Sequence, residues 1–124
     1  MNEHSLQTKT TPELEKDLKK LSKKFRTLKD DIKNFIKTQL NLYHNLKVDN
    51  GGIFQIKDTG INYPQIFKAK KFACKSLKGK GAASGIRIIY AYYKKDNLIE
   101  FIEIYYKSYK ENEDRERIKK YYKR

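Results

Sequence analysis

Apolar residues recur with helical spacing along the first part of the chain. Steps of three and four residues separate the apolar positions between 14 and 28, and again between 32 and 46, which places each set on one helical stripe. Thr10 or Thr11, followed by Pro12, supplies a start signal, because threonine caps free amides and proline is tolerated in the first turn. The pattern predicts two helices that form a hairpin.

The periodicity changes in the second part of the chain. An Asn-Gly-Gly run at 50–52 ends the helical pattern, since glycine is a poor helix former. Runs rich in β-branched and aromatic residues follow at 66–74, 86–93 and 98–106, and the last two are joined by a Lys-Lys-Asp-Asn turn. These runs are expected to be consecutive antiparallel strands.

Both ends of the chain are more polar. Residues 1–10 lack periodicity and are expected to form a flexible arm or a weak edge strand. Ile118, Tyr121 and Tyr122 give the charged tail one narrow apolar side, which predicts a short helix. The sequence therefore predicts one α+β domain over residues 1–124, with two N-terminal helices packed on an antiparallel sheet of three to four strands and a short C-terminal helix beyond it.

Composition adds a strong positive charge to this picture. The 124 residues include 29 Lys and Arg against 15 Asp and Glu, for a formal net charge of +14. Such an excess favours a polyanion or an acidic protein as partner. Ten tyrosines and six phenylalanines supply enough apolar surface to argue against a disordered chain.

Several function classes lack support in the sequence. Cys74 is the single cysteine, so no internal disulfide is possible, and no Cys/His cluster has the spacing of a zinc site. The first ten residues lack the apolar run of a signal peptide, and no segment approaches the about 20 apolar residues that span a bilayer. We expect a cytoplasmic protein without a membrane segment, metal or small-molecule cofactor.

The basic residues concentrate between Ile66 and Arg87, where no acidic residue occurs. The seven cations of this stretch are Lys68, Lys70, Lys71, Lys75, Lys78, Lys80 and Arg87. The two-residue strand period places Lys68 and Lys70 on one face, with the later lysines at its rim. Glycines between 79 and 85 allow close backbone approach to a ligand. The stretch forms either a concave site for a phosphodiester backbone or a flexible hairpin connection with solvated lysines.

Three segments resemble the RelE/ParE superfamily of toxins, in particular those of the RelE/HigB type. They are LEKDLKKLSKKFRTLKDDIKNFI, GKGAASGIRIIYAYY and IEIYYKS, and they occur in the family's order across roughly residues 12–110. The resemblance implies helices packed on a curved antiparallel sheet. The chain departs from RelE itself at Ser108 and Asp114, where RelE-type toxins carry an arginine and a tyrosine, and in the loop at Ala82 and Ala83.

The resemblance also implies an activity and partners. Toxins of this kind belong to type II toxin-antitoxin systems and are endoribonucleases that cut mRNA on the ribosome without a metal. The ribose 2′-hydroxyl attacks the adjacent phosphate and a cyclic phosphate remains. A cognate antitoxin, expected here to contribute an acidic segment, covers the basic face.

Site residues follow from the matched motifs. Arg87 matches the arginine of the family's Ser-Gly-x-Arg strand, and its planar guanidinium can bind two phosphate oxygens. Lys78 and Lys80 correspond to loop lysines, and Lys107 to the lysine of Ile-Tyr-x-Lys-Ser. The resemblance implies that these four are catalytic, with lysines that bind RNA and assist proton transfer.

Further residues are candidates for RNA contact. They are Lys68, Lys70, Lys71, Lys75, Tyr109, Tyr121 and Tyr122. The tyrosines either stack on bases or pack the terminal helix. Arg87, in turn, has a structural alternative, an ion pair with Glu100 or Glu103 on the adjacent strand. Because strand alternation places Glu100 and Glu103 on opposite faces, a site with two catalytic carboxylates is set aside.

Two other functions stay open at this point. One is a ParE-like toxin that inhibits DNA gyrase by binding, without nuclease chemistry. The other is a basic RNA- or ribosome-binding module that has lost activity. The retained Gly-Lys loop, Arg87 and Lys107 favour the nuclease, because binding alone needs no cations that converge on one phosphate.

Overall fold

The computed structural model of the chain describes residues 6–123. The helices are α1 (Pro12–Lys24), α2 (Leu28–Phe35), which continues as a π-helix over Ile36–Asn45, and α3 (Arg115–Tyr122). The strands are β1 (Gln7–Thr10), β2 (Ile53–Gln55), β3 (Gln65–Ala69), β4 (Ile86–Tyr93) and β5 (Leu98–Tyr106). The predicted α+β class is confirmed.

The sheet is larger than the sequence predicted. Its five strands follow the order β1-β5-β4-β3-β2, and β1 runs parallel to β5 while the other pairs are antiparallel. The expected three to four antiparallel strands thus become a mixed sheet, because two short edge strands extend it. Residues 6–10 of the expected arm include β1, and residues 1–5 lie outside the described part of the chain.

Two apolar layers sandwich the sheet. On one face, α1, α2 and the π-helix bury a large cluster that includes Leu14, Phe25 and Phe72. On the other face, Ile118 of α3 packs with a smaller cluster around Ile89. The predicted packing of two N-terminal helices on one face, with a short C-terminal helix beyond, is confirmed. The expected start of α1 is also confirmed, since the backbone N–H of Leu14 donates to Oγ1 of Thr11 over 3.1 Å.

A β-bulge in β5 corrects one expectation about its carboxylates. Ile89 pairs with Glu103 but Tyr90 pairs with Phe101, so Ile102 is an extra residue in β5. The bulge shifts by one residue the alternation of β5 side chains between the two faces of the sheet. Tyr122 Oη donates to Glu100 over 2.6 Å, and the backbone N–H of Asp114 donates to Glu103 over 2.8 Å. Both carboxylates therefore face the α3 segment rather than opposite sides of the sheet, and both are engaged in holding it.

His44 of the π-helix is buried beneath the sheet. Its side chain is 4% exposed, its Nε2 lies 2.8 Å from Tyr90 Oη, and its ring centroid lies 3.9 Å from that of Tyr92. Burial, aided by the nearby charge of Lys47, lowers the pKa of His44 from 6.5 to about 4. The imidazole is therefore neutral in the folded protein at neutral pH.

We expect His44 to make the protein less stable in mild acid. Because its folded pKa lies below its unfolded pKa, the unfolded chain binds the proton first as the pH falls. The stabilisation is complete above about pH 6.5 and is lost progressively down to about pH 4. The loss is about 3 kcal/mol over this window. Urea unfolding of wild type and His44→Gln between pH 4 and 7 measures it, and parallel pH profiles would contradict it.

Candidate nucleic-acid interface

The structure gathers five cations around one concavity, which we call the basic concavity. Its volume is about 600 Å³, and it is lined by Lys70, Lys71, Lys80, Ala82, Ala83, Gly85, Arg87 and Lys107. The lining residues come from the end of β3, the loop before β4, the start of β4 and the end of β5. No carboxylate is among them, so the potential inside is positive and suits a polyanion.

Arg87 is positioned by strand alternation and by one hydrogen bond. Its neighbours Ile86 and Ile88 point into the core under the helices, so Arg87 points to the opposite face of β4. There Nη1 of Arg87 donates to the carbonyl oxygen of Lys70 over 2.9 Å. This contact fixes the base of the guanidinium and leaves its other N–H groups available to a ligand.

Gly85 brings the end of β5 against the start of β4. Its φ is +85°, a conformation that favours glycine. A Cβ at Gly85 would lie 3.3 Å from the ring of Tyr106. The backbone N–H of Lys107 donates to the carbonyl oxygen of Gly85 over 2.8 Å, and Lys107 lines the same concavity as Arg87.

Two lysines of the basic concavity contact uncharged groups of the protein. Lys70 Nζ lies 5.1 Å from the ring centroid of Phe54, and Lys71 Nζ donates to the carbonyl oxygen of Asn50 over 2.7 Å. Within residues 6–123, none of the five cations forms an ion pair. Their charge is therefore available to an anionic ligand.

Arg87 forms no ion pair with Glu100 or Glu103 on the adjacent strand. Glu100 lies 3.9 Å from Lys9 Nζ and accepts from Tyr122, while Glu103 is paired with Lys110. Both carboxylates therefore pair with groups other than Arg87.

Two of the predicted loop lysines lie apart from the basic concavity. Lys75 and Lys78 line a separate depression of about 340 Å³ together with Cys74 and Leu77. The backbone N–H of Lys75 donates to the buried carboxylate of Asp31, which ties this part of the loop to α2. The fold therefore separates Lys78 from Arg87, Lys80 and Lys107.

Lys68 occupies a structural position. Its Nζ donates to Glu113 Oε1 over 2.9 Å, and the two side chains are only 13% and 9% exposed. Burial is the largest single influence and opposes charge on both groups, but the hydrogen bond between them together with further hydrogen bonds and nearby charges outweighs it, so the pKa of Lys68 is raised and that of Glu113 is lowered. The strand period predicted the face of Lys68 but gave no sign of Glu113, which comes from the distant segment before α3.

The three candidate tyrosines differ in their surroundings. Tyr122 is half-buried, and burial together with Glu100 raises the pKa of its hydroxyl. Tyr121 lies beside it on α3, with Lys120 Nζ 5.7 Å from its ring centroid. Tyr109, by contrast, is 64% exposed, with an edge-to-face contact to the Tyr106 ring at 5.1 Å between centroids and Lys24 Nζ 5.2 Å from its own ring centroid.

The part of the chain that the structure describes holds no cluster of three or more His, Cys, Asp or Glu side chains that could bind a metal ion. In the same part, no helix has the length and apolar character to cross a membrane.

Comparisons with known proteins add one structural likeness. No protein-family model matches the sequence, and no curated protein matches it. Among solved structures, the chain is similar to one in the crystal structure of an archaeal RelE-RelB complex from Pyrococcus horikoshii OT3. The two are 16% identical with a TM-score of 0.46, and the match covers 81% of this chain and 92% of that one. Likeness at this level leaves family and function to be argued from the residues.

Proposed function

We propose that this chain is a toxin of the RelE/ParE superfamily that cleaves mRNA in the basic concavity without a metal. The observation that carries the proposal is the convergence of Arg87, Lys80 and Lys107, three residues of the matched motifs, on one site free of carboxylates. Lys70 and Lys71 enlarge the same positive surface. A scissile phosphate with its flanking nucleotides is the ligand that this charge fits best.

The proposed chemistry is transfer of the phosphodiester to the neighbouring ribose hydroxyl. The 2′-oxygen forms a bond to phosphorus, the bond to the 5′-oxygen breaks, and a 2′,3′-cyclic phosphate remains. The 2′-hydroxyl loses a proton and the departing 5′-oxygen gains one. Arg87 is assigned to the two nonbridging oxygens, where its paired donors stabilise the added negative charge of the transition state. Lys80 and Lys107 are assigned to proton transfer and to charge neutralisation.

The remaining predicted RNA contacts take secondary roles. Lys75 and Lys78, on the other side of the loop, are proposed to meet phosphates beyond the scissile one. Tyr121 belongs to α3 beside the paired Tyr122, so we assign both mainly to packing. Lys68 is assigned to the fold through Glu113.

The proposed partners are the ribosome with its mRNA and a cognate antitoxin in the cytoplasm. A formal net charge of +14 favours an antitoxin segment rich in Asp and Glu. Such a segment would cover the basic concavity and block RNA.

The test is a reconstituted translation reaction with purified protein, in which primer extension maps the 5′ ends of the mRNA. Cuts in phase with codons that require ribosomes are expected. Intact mRNA at every protein concentration would contradict the proposal, and supercoiling by DNA gyrase would then be assayed in the presence of the protein.

One observation favours a binding-only function as the second candidate. Asp114 stands where RelE-type toxins carry a tyrosine, and its Oδ1 accepts from the backbone N–H of Arg117 over 3.0 Å as the N-cap of α3. A residue committed to capping a helix does not act on a scissile phosphate. A ParE-like gyrase inhibitor, or an inactive RNA- or ribosome-binding module, needs only the basic surface.

We expect the basic concavity to dominate the salt dependence of RNA binding. Replacing Lys70, Lys71 and Lys80 together by glutamine should reduce the slope of log K against log salt by about 2, because each phosphate contact contributes about 0.7 for single strands. Titrations of an uncleavable 2′-O-methyl RNA measure the slope. The control replaces three exposed lysines elsewhere, Lys37, Lys57 and Lys94. Equal slopes for both triple variants would contradict a localised site.

A further inference from the structure

A second groove lies beside the part of β5 that β1 leaves unpaired, and we call it the tyrosine groove. Its volume is about 500 Å³, and its lining includes Asp17, Lys20, Lys23 and Lys24 of α1 together with Tyr106, Tyr109 and Lys110. It exists because β1 pairs with β5 only from Leu98 to Phe101. Beyond that point α1 covers the edge, where the backbone N–H of Ile104 donates to Asp17 Oδ2 over 3.3 Å.

Tyr109 presents an oriented aromatic surface in this groove. The edge-to-face contact with Tyr106 has an interplanar angle of 89°, and Lys24 Nζ lies 5.2 Å from the centroid of the Tyr109 ring. The side chain is nevertheless 64% exposed. An exposed aromatic ring among lysines is the arrangement by which single-strand binders stack a base and hold its phosphate.

The tyrosine groove adjoins the basic concavity through the end of β5. Tyr106 lines the groove, whereas the next residue, Lys107, lines the concavity. Gly85, also in the concavity, packs against the Tyr106 ring. The two sites therefore meet at the end of β5, so one single strand can contact both.

We infer that the tyrosine groove is a base-binding subsite for a nucleotide that flanks the phosphate in the basic concavity. Tyr109 stacks on the base, and the lysines of α1 contact the adjoining backbone. The inference rests on the proposed function, because it takes single-stranded RNA as the ligand of the concavity. Duplex nucleic acid does not fit this role, since its bases are already paired and stacked.

The test compares binding of two uncleavable 2′-O-methyl RNAs, a trinucleotide and a hexanucleotide, by fluorescence anisotropy. Tyr109→Leu keeps an apolar side chain but removes the aromatic face, so it should weaken the hexanucleotide about tenfold. The trinucleotide, which occupies the concavity alone, should bind as it does to wild type. Tyr109→Phe retains the ring and should bind both RNAs normally.

A matched control is available at the far end of the sheet. Tyr63 is 44% exposed and has Lys95 Nζ 5.3 Å from its ring centroid, much like Tyr109 with Lys24. Tyr63→Leu should leave both affinities unchanged. If Tyr63→Leu and Tyr109→Leu weaken the hexanucleotide equally, the effect is not local to the groove and the inference is overturned.

The same measurements separate this inference from the proposed function. If Arg87→Ala weakens both RNAs but Tyr109→Leu weakens neither, the concavity binds RNA and the groove does not, which overturns this inference and leaves the proposed function in place. If Tyr109→Leu weakens the hexanucleotide but Arg87→Ala has no effect, the continuous path and the proposed function both fail.

A spectroscopic reporter makes the contact visible directly. The chain contains no tryptophan, so Tyr109→Trp introduces a single indole whose fluorescence a stacked base quenches. Quenching by the hexanucleotide and not by the trinucleotide is expected. Unchanged emission at a hexanucleotide concentration that saturates binding would overturn the inference.

Discussion

Replacing Arg87 by alanine is expected to lower the rate of mRNA cleavage by about 100- to 1000-fold, the usual cost of removing one donor to a developing oxyanion. Within residues 6–123 Arg87 forms no ion pair, and its side chain donates to the carbonyl oxygen of Lys70. The fold should therefore tolerate the change. Single-turnover cleavage on programmed ribosomes measures the rate, and urea unfolding checks the fold.

Arg115 offers a matched control for Arg87. Like Arg87 it donates to a backbone carbonyl, that of Lys57, over 3.2 Å, and it differs from Arg87 in its ion pair with Glu113. Arg115→Ala removes the same charge away from the basic concavity and should leave cleavage within about twofold of wild type, as for surface charges outside a site. Arg87→Lys should retain only part of the rate, since an ammonium cannot bind two oxygens in the plane of a guanidinium. Equal rates for wild type and Arg87→Ala would remove Arg87 from the mechanism.

Replacing Lys68 by methionine is expected to destabilise the protein by about 3 kcal/mol, because it leaves the carboxylate of Glu113 in a largely buried position without its main partner. This loss of stability lies at the low end of the range for broken buried pairs, because Arg115 Nε remains 3.4 Å from Glu113 Oε2 and still compensates part of its charge. The free energy of unfolding in urea measures the effect.

A second variant separates the lost pair from lost volume. Lys68→Met combined with Glu113→Leu removes both charges, and it should recover most of the stability, as apolar replacements of buried pairs often do. Lys70→Met, at an exposed position two residues away, is the control and should change stability by less than about 0.5 kcal/mol. A Lys68→Met protein as stable as wild type would show that the pair contributes nothing to the fold.

The main elements of the fold could be predicted because their apolar patterns are long. Helices α1 and α2 carry core residues at helical spacing, β4 carries them at every second position, and β5 is rich in apolar residues along its length. The edge strands lacked such a signal: β1 is polar and exposed at all four positions, and β2 has only three residues. Their pairing depends on the neighbouring strands, which a local pattern does not contain.

The bulge at Ile102 escaped prediction for a related reason. Strand alternation assigned Glu100 and Glu103 to opposite faces, but one inserted residue reverses the alternation from that point on. The insertion is defined by the register against β4, which is a property of two strands together. Local sequence within β5 gives no sign of it.

The candidate site could be predicted as a charged region but not as a geometry. The run of seven cations between Ile66 and Arg87 marked the right part of the chain. The fold then divides the run, with Lys68 buried against Glu113, Lys78 across the loop, and the remainder of the predicted catalytic set around Arg87. The tyrosine groove was missed in part, because only the tertiary structure brings the lysines of α1 beside Tyr109.

The most direct measurement of the central claim, cleavage of mRNA through the ribose hydroxyl, compares two mRNAs in one translation reaction. One is entirely ribose, and the other carries a single 2′-O-methyl group on the nucleotide 5′ to the mapped cut. We predict that the first mRNA is cut there to give a 2′,3′-cyclic phosphate and that the second is intact at that position. Cleavage of both mRNAs at that position, or of neither, would contradict the proposal.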